Sequence, residues 1–249
     1  MTDTETIKRI VLFADIKPGE TILEIGAGTG FLTDELLKVS SKVIAVERDK
    51  NLAGILRKRL KDKQGLDVIE GNALKILDTL KFDKIVSNIP YSIAEALIMK
   101  LLEKEFERAV LTVPKSFAYK LIAKPGDKNF SRLSLIAEEF FSIEILMDVP
   151  KNAFEPRPKT NSVVILIEPK KNKSLLRSVI RRRKMKVKNA LREGLCETFG
   201  ITKREARKLI NMLKINNVIL EKRVLNLSTE ELKSVAQKVK NFSFTPSKT

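Results

Sequence analysis

The sequence predicts an α/β protein in which a mainly parallel, seven-stranded sheet is followed by a small, basic, all-α domain. Residues 21–47 alternate apolar strand, glycine-rich turn, helix and strand, which is the pattern of a doubly wound sheet. The last two strand candidates, 142–149 and 162–167, are joined by a long loop, so we expect an antiparallel final hairpin. The third observation is the charge, which is concentrated in the last third of the chain.

The uneven charge also predicts a domain boundary. Residues 1–169 contain 26 basic and 25 acidic side chains, whereas residues 170–249 contain 22 and 6, which leaves balances of +1 and +16. The segment 168–174 is polar and contains Pro169, as expected of a linker. Because about 170 residues can bury a doubly wound core and about 75 can form a helical lobe, we predict domains at 1–169 and 170–249.

A glycine-rich turn follows the first strand. The strand, 21–25, leads into Gly26-Ala27-Gly28-Thr29-Gly30, after which 31–37 has helical periodicity. Glycine lets the backbone approach a ligand closely, and a helix start offers unpaired N–H groups. A second strand, 42–46, ends in Glu47, where an acidic side chain can accept hydrogen bonds from both hydroxyls of a ribose. We therefore predict a nucleoside cofactor site that includes Gly26, Gly28, Gly30 and Glu47.

The glycine spacing distinguishes between two cofactors. The dinucleotide pattern requires a third glycine or alanine where this chain has Phe31, which argues against NAD. Gly-x-Gly-x-Gly with Glu24 two residues before it is typical of the loop that binds the amino-acid end of S-adenosylmethionine. Asn72, after a further strand at 67–70, adds a polar side chain that could meet the cofactor adenine.

The tetrapeptide Asn88-Ile89-Pro90-Tyr91 ends a fourth strand and predicts a site for a flat, amino-bearing base. The amino nitrogen of adenine is a poor nucleophile because its lone pair is delocalised into the ring. The Asn88 oxygen and a backbone carbonyl at Ile89 or Pro90 could accept its hydrogens, while Tyr91 stacks on the base, which contributes about 1–3 kcal/mol. The alternative is a turn that ends a strand, with Tyr91 as half-buried packing.

The basic tail predicts an RNA-binding surface. Apolar residues between 175 and 195 recur at helical spacing, so we expect one ordered amphipathic helix across this segment rather than a loose basic arm. For 170–173 alone, a solvated face or disordered arm is the simpler interpretation. The predicted RNA-binding residues are Arg181, Arg182, Arg183, Lys184, Lys186 and Lys188.

The composition excludes several kinds of site. The chain has no histidine, which excludes imidazole base catalysis and histidine-ligated metals, and the single Cys196 excludes a disulfide within the chain and a cysteine cluster for zinc. We therefore expect no metal. Without a signal peptide or a membrane-length apolar run, we expect a soluble, cytoplasmic protein that does not contact a membrane. The sequence leaves the oligomeric state open.

Five elements of the sequence occur in the same order in a known family. They are 24–30, Glu47, 71–74, 88–91 and 154–162. They resemble the motifs of the ribosomal RNA adenine N6-dimethyltransferase family, and two tail segments, 181–192 and 224–232, are similar to the C-terminal domain of its archaeal and eukaryotic branch.

The resemblance implies a class I S-adenosylmethionine-dependent methyltransferase fold. It also implies dimethylation of adenine N6 in small-subunit ribosomal RNA, either free or in an assembling particle. By the same resemblance, the cofactor is lined by Gly26, Glu47, Asn72 and Asn88. The target adenine would be held by Asn88, Pro90 and Tyr91, with Phe154 closing the other face of the base.

Three features depart from the family pattern. Asn72 stands where the family usually has aspartate, and 113–121 replaces a segment that normally contains glutamine, glutamate and arginine. Met1 falls at the leucine of the family's Q-x-F-L segment. An alternative hypothesis is therefore a ribosome-assembly factor that keeps the fold and binds RNA but methylates slowly or not at all. A third is methylation of DNA adenine or of a protein glutamine, whose motifs usually have a proline where Ile89 stands.

Overall fold

The computed structural model describes residues 1–172 and 174–241, so Lys173 of the predicted linker and 242–249 of the predicted second domain lie outside the described residues. The chain forms two compact units. The first comprises Met1–Ile122 and Phe141–Pro169, and the second comprises Ala123–Phe140 and the described part of Lys170–Thr249. The second unit thus includes residues that precede the boundary expected from the charge.

The first unit is built on a seven-stranded sheet. Its strands are β1 (Thr21–Ile25), β2 (Lys42–Glu47), β3 (Leu66–Glu70), β4 (Lys84–Asn88), β5 (Arg108–Pro114), β6 (Phe141–Val149) and β7 (Ser162–Pro169). Their order is β3-β2-β1-β4-β5-β7-β6, with β7 antiparallel to β5 and β6 and the other pairs parallel. The predicted sheet and its antiparallel final hairpin are confirmed.

Helices of the first unit pack around this sheet. They are α1 (Thr4–Phe13), α2 (Phe31–Leu36), α3 (Lys50–Arg59), α4 (Ala73–Ile76), α5 (Ala94–Leu101) and α6 (Lys115–Ile122). β1, β2, β4 and β5 are buried along most of their length, as expected of parallel strands that are covered on both faces. A core cluster that includes Ile7, Ile22, Val43, Val86 and Val110 joins these strands to α1. This core fixes the carboxyl ends of the central strands.

The second unit is helical. Its helices are α7 (Arg132–Phe140), α8 (Leu175–Arg181), α9 (Val187–Phe199), α10 (Lys203–Met212), α11 (Asn217–Glu221) and α12 (Thr229–Lys240). α7 belongs to this unit because it buries most of its residues and packs against α8 and α12. A backbone hydrogen bond also joins the end of α7 to Lys170, whose N–H donates to the Phe140 carbonyl at 2.9 Å.

The prediction of one continuous helix across the basic segment is wrong. The structure has two helices, α8 and α9, separated by residues 182–186. The physical reason is a backbone partner that is distant in sequence. Lys186 forms an antiparallel bridge with Arg223, and Leu225 N donates to the Arg183 carbonyl at 2.8 Å. The carbonyl and N–H groups in this pairing have hydrogen-bond partners without forming a helix. Residues 182–186 therefore do not need to be helical to satisfy these groups.

Two kinds of feature are absent from residues 1–172 and 174–241. No helix there is both long and apolar enough to cross a membrane. The same residues contain no group of three or more histidine, cysteine, aspartate or glutamate side chains that could hold a metal ion.

Candidate functional site

The candidate site lies at the carboxyl ends of β1, β2 and β4. β1 ends immediately before Gly26, β2 ends at Glu47 and β4 ends at Asn88. β1 pairs with both β2 and β4, so the three strand ends are neighbours at one edge of the sheet. Gly26 is also bonded directly to β2, because its N–H donates to the Val46 carbonyl at 2.7 Å.

The glycine loop, residues 26–30, contacts the 88–91 turn at Gly26. The Gly26 backbone is left-handed, with φ +73°, and a Cβ added there would lie 3.0 Å from Pro90 Cδ. Glycine is the residue that adopts this conformation and leaves room for the proline ring. Gly28 is also left-handed, with φ +59°, but a Cβ added there would meet no atom within 4 Å. The loop is thus closed against the turn at Gly26 and open at Gly28.

The Glu47 carboxylate connects β2 to the glycine loop. It is 7% exposed, and its two oxygens accept hydrogen bonds from Gly28 N and Asp49 N, both at 2.8 Å. These bonds fix the orientation of the carboxylate and use one lone pair on each oxygen. Each oxygen can therefore accept one further hydrogen bond, which suits a pair of neighbouring hydroxyl groups.

Glu24 is a buried carboxyl group within β1. It is 2% exposed, and its Oε2 accepts a hydrogen bond from Thr33 Oγ1 of α2 at 2.6 Å. Burial raises the pKa of Glu24 from its ordinary value of 4.5 to about 8; the Thr33 bond opposes this shift, and the neighbouring Glu47 charge adds to it. Glu24 is therefore mainly protonated at neutral pH, and its bond to Thr33 links β1 to α2.

Asn88 presents an unpartnered acceptor at the end of β4. Its Oδ1 is buried and has no hydrogen-bond partner among the described residues. Thr112 is its register partner on β5, and the buried Thr112 Oγ1 likewise lacks a partner in the described part of the chain. Because buried polar atoms are normally bonded, this pair marks a place that suits a polar ligand group. Thr112 was not among the predicted site residues, although it is a polar residue in the apolar run of β5.

Tyr91 begins a short 3₁₀ turn that leads into α5. Its hydroxyl shares a 2.5 Å hydrogen bond with the Oγ of Ser162, the first residue of β7. Tyr91 is 37% exposed, so part of the ring faces solvent while the hydroxyl is held. Ser162 thus positions the ring, a role that the sequence did not indicate because the two residues are 71 positions apart.

Three other predicted site residues have visible roles in the fold. Asn72 is the N-cap of α4, where its Oδ1 accepts a hydrogen bond from Leu74 N at 3.0 Å. Gly30 is the left-handed N-cap of α2, with φ +85°. Phe154 is 7% exposed and belongs to the core cluster that also contains Val149. Contacts of these three residues with a cofactor or a base stay predictions.

The six predicted RNA-binding side chains lie in the second unit. Arg182 is ion-paired with Glu197 at 2.8 Å, and Lys186 and Lys188 are both ion-paired with Glu221. The remaining members of the set, which are exposed or half-buried, are Arg181, Arg183 and Lys184. Carboxylates within the protein therefore already neutralise several cations of this set.

Comparison with known proteins finds relatives along nearly the whole chain. The sequence model of the family described as ribosomal RNA adenine dimethylase matches residues 1–237. A probable ribosomal RNA small subunit methyltransferase A from Pyrococcus furiosus is 39% identical over 243 residues, covering 95% of this chain and 88% of the relative. A protein of the same description from Methanosarcina acetivorans is 37% identical over 247 residues, covering 95% and 89% of the two chains.

Solved structures show similarity over the same length. A dimethyladenosine transferase from Plasmodium falciparum has a TM-score of 0.68 at 29% identity, covering 96% of this chain and 98% of that one. The 23S rRNA methyltransferase ErmE has a TM-score of 0.62 at 22% identity, covering 97% and 99%, and this similarity concerns the fold alone. The fold is that of class I S-adenosylmethionine-dependent methyltransferases, which confirms the predicted fold class.

The contact at Gly26 predicts a difference between two glycine substitutions. Gly26→Ala and Gly28→Ala both place a Cβ on a left-handed backbone, which costs about 1–2 kcal/mol. Gly26→Ala also crowds the Pro90 ring, so we expect its free energy of unfolding to fall by at least about 1 kcal/mol more than that of Gly28→Ala. Urea unfolding measures both values. Equal losses would contradict the importance of the Pro90 contact.

The buried Glu24 predicts how stability depends on pH. Because the folded state keeps this proton at a pH where the unfolded chain has released it, stability should decrease as pH rises from about 5 to 8, by up to about 1.4 kcal/mol per pH unit. Glu24→Gln keeps the acceptor for Thr33 and should flatten this slope. Urea unfolding across the pH range tests this, with the exposed Glu144→Gln as the control that should follow the wild type. Parallel slopes for wild type and Glu24→Gln would refute the assignment.

Proposed function

Because the chain belongs to the ribosomal RNA adenine dimethylase family, we propose that it transfers methyl groups from S-adenosylmethionine to adenine N6 atoms of small-subunit ribosomal RNA. Each target base receives two methyl groups, and the substrate is the RNA or its assembling particle. The observation that supports this most directly is the buried, unpartnered Asn88 Oδ1, on the turn that contacts the glycine loop.

The residues at the strand ends fit the cofactor. Glu47 would accept hydrogen bonds from the ribose hydroxyls with its two remaining lone pairs, since its other two already hold backbone N–H groups. The open backbone at Gly28 would approach the methionine end, while Gly26 and Asn72 would line the nucleoside. When bound, S-adenosylmethionine supplies a methyl group on a positively charged sulfur, which is already activated for transfer.

Asn88 prepares the acceptor nitrogen. Its Oδ1 accepts one N6–H of adenine, and we assign the second acceptor to the Ile89 carbonyl because the Pro90 carbonyl already accepts a hydrogen bond from Ile93 N at 3.0 Å. These bonds favour a pyramidal nitrogen whose lone pair points out of the ring plane. No general base is then needed before transfer. Positioning of this kind can contribute about 7–11 kcal/mol to catalysis.

Two aromatic side chains would hold the base. Tyr91 stacks on one face, and the Ser162 hydroxyl keeps its ring in place during the stacking. Phe154 closes the other face, which requires its ring to leave part of the core cluster, because it is 7% exposed.

The second unit would bind the RNA backbone. The cations proposed for this role are Arg181, Arg182, Arg183, Lys184, Lys186 and Lys188. Phosphate must replace Glu197 at Arg182 and Glu221 at Lys186 and Lys188, so these contacts gain less free energy than a contact that breaks no ion pair.

One observation favours a second candidate function, a ribosome-assembly factor that binds RNA but methylates slowly. Asn72 has a single side-chain oxygen, which caps α4. An aspartate at this position would offer one oxygen to the helix and a second, charged oxygen to the adenine amino group of the cofactor. Asn72 offers a single, uncharged oxygen that already caps the helix, so we expect it to give a lower affinity for the cofactor.

Removal of the Asn88 amide tests the proposed reaction. Asn88→Ala should lower kcat by at least about 100-fold, because it removes an acceptor that orients the reacting nitrogen. RNA binding at low salt should persist, since the basic residues are unchanged. Methyl incorporation from labelled cofactor into unmethylated small subunits measures the first quantity, and filter binding measures the second. The exposed Asn129→Ala is the control. Unchanged turnover in Asn88→Ala would refute the role of Asn88.

Restoration of a carboxylate at position 72 separates the two candidates. Asn72→Asp should tighten cofactor binding about 5-fold, because a charged acceptor is stronger by about 1 kcal/mol. Isothermal titration calorimetry with S-adenosylmethionine measures this. Asn216→Asp is the matched control, because Asn216 caps α11 through the same kind of bond. If the wild type binds S-adenosylmethionine, the result supports the methyltransferase function. If only Asn72→Asp binds it, the result supports the ribosome-assembly factor.

A further inference from the structure

One face of α10 combines four basic side chains. Lys203, Arg204, Arg207 and Lys208 are all exposed and recur at the three- and four-residue spacing that places side chains on one side of a helix. The opposite side is formed by apolar residues that are buried, Ala206, Leu209 and Ile210. The apolar side packs in the second unit against α9, so the basic side faces solvent. We call these four residues the α10 face.

Among the described residues, the two arginines of the α10 face have no carboxylate partner. Glu205 is the acidic residue of α10, and its Oε2 accepts hydrogen bonds from Thr202 N and Oγ1 at 2.8 and 2.7 Å in the helix cap. Lys203 lies 3.7 Å from Glu193. The charge of Lys208 acts on Glu205 without forming a close ion pair. Among the ion pairs of the described residues, none includes Arg204, Arg207 or Lys208.

This differs from the basic segment identified in the sequence. There, Arg182, Lys186 and Lys188 already have carboxylate partners that an incoming phosphate must replace. A cation without a carboxylate partner can bind a phosphate without first breaking an ion pair, so the whole attraction contributes to binding. The α10 face is therefore the better anion-binding surface per side chain, although residues 181–188 contain more positive charge.

We propose that the α10 face is a second RNA-binding surface, which contacts backbone phosphates of the ribosomal RNA substrate. The identity of the RNA rests on the proposed function. The two arginines suit phosphate because the planar guanidinium donates two parallel hydrogen bonds to its oxygens. An anionic membrane fits less well, because the apolar side of α10 is buried and Met212 is the large apolar residue that the helix exposes.

The test is the salt dependence of RNA binding. The triple variant Arg204→Gln, Arg207→Gln, Lys208→Gln removes three phosphate contacts, so a plot of log affinity against log salt should become shallower by about 2 to 3 units. The control variant Lys58→Gln, Lys61→Gln, Lys81→Gln removes the same charge from exposed positions of the first unit. It should keep the wild-type slope. Filter binding of a small-subunit ribosomal RNA transcript to the full chain measures all three slopes.

Three results would overturn the proposal. A triple variant with the wild-type slope would show that the α10 face does not touch phosphates. An equal change in the control variant would show a diffuse effect of net charge. Binding to polyglutamate and to anionic vesicles is measured in parallel, and an equal loss there would indicate a general anion surface instead of an RNA surface. Thermal unfolding checks that the variants are folded.

Methyl transfer keeps this proposal separate from the proposed function. At saturating RNA, the triple variant should keep the wild-type kcat and raise only the KM for RNA, because the altered residues lie outside the reacting site. If the wild type binds RNA but transfers no methyl group, the proposed reaction fails while the salt slopes still decide the role of the α10 face.

Discussion

The close approach of Gly26 to Pro90 is the constraint on which the candidate site depends. The strand order runs from β1 towards β3 on one side and from β4 towards β5 on the other, so β1 and β4 form the switch point of the sheet. Loops that leave such a point diverge and open a crevice at the carboxyl ends of the strands. The Gly26 contact with Pro90 keeps the two loops together at the base of that crevice. The predicted nucleoside site at the glycine loop and the predicted base site at the 88–91 turn then lie next to each other.

The main positions of this site could be predicted because they follow a local rule. Gly26 directly follows β1, and Glu47 and Asn88 are the last residues of β2 and β4, and parallel strands place their carboxyl ends at one edge of the sheet. The groups that orient these positions could not be predicted, because they come from distant segments. Ser162 holds Tyr91 across 71 positions, and the local pattern around either residue contains no trace of that bond.

The helical unit shows the same limit on a larger scale. Apolar spacing predicts helix across the basic segment, and two helices are indeed present, but the break at 182–186 depends on backbone pairing near Arg223. Likewise, α7 lies between strand candidates in the sequence, although its buried surface belongs with α8 and α12. Periodicity identifies which residues are buried, and it does not identify the partner that buries them.

The ion pairs of a basic segment must be known before RNA binding is assigned to it. Counting along the sequence favours residues 181–188, where positive side chains are densest. Their carboxylate partners, Glu197 and Glu221, come from α9 and from α11, and become visible only in the folded unit. An ion pair lowers the free energy available to a phosphate, because one contact must break for the other to form. For the proposed RNA binding, the relevant quantity is therefore the charge that the fold leaves without a carboxylate partner, and Arg204 and Arg207 carry charge of this kind.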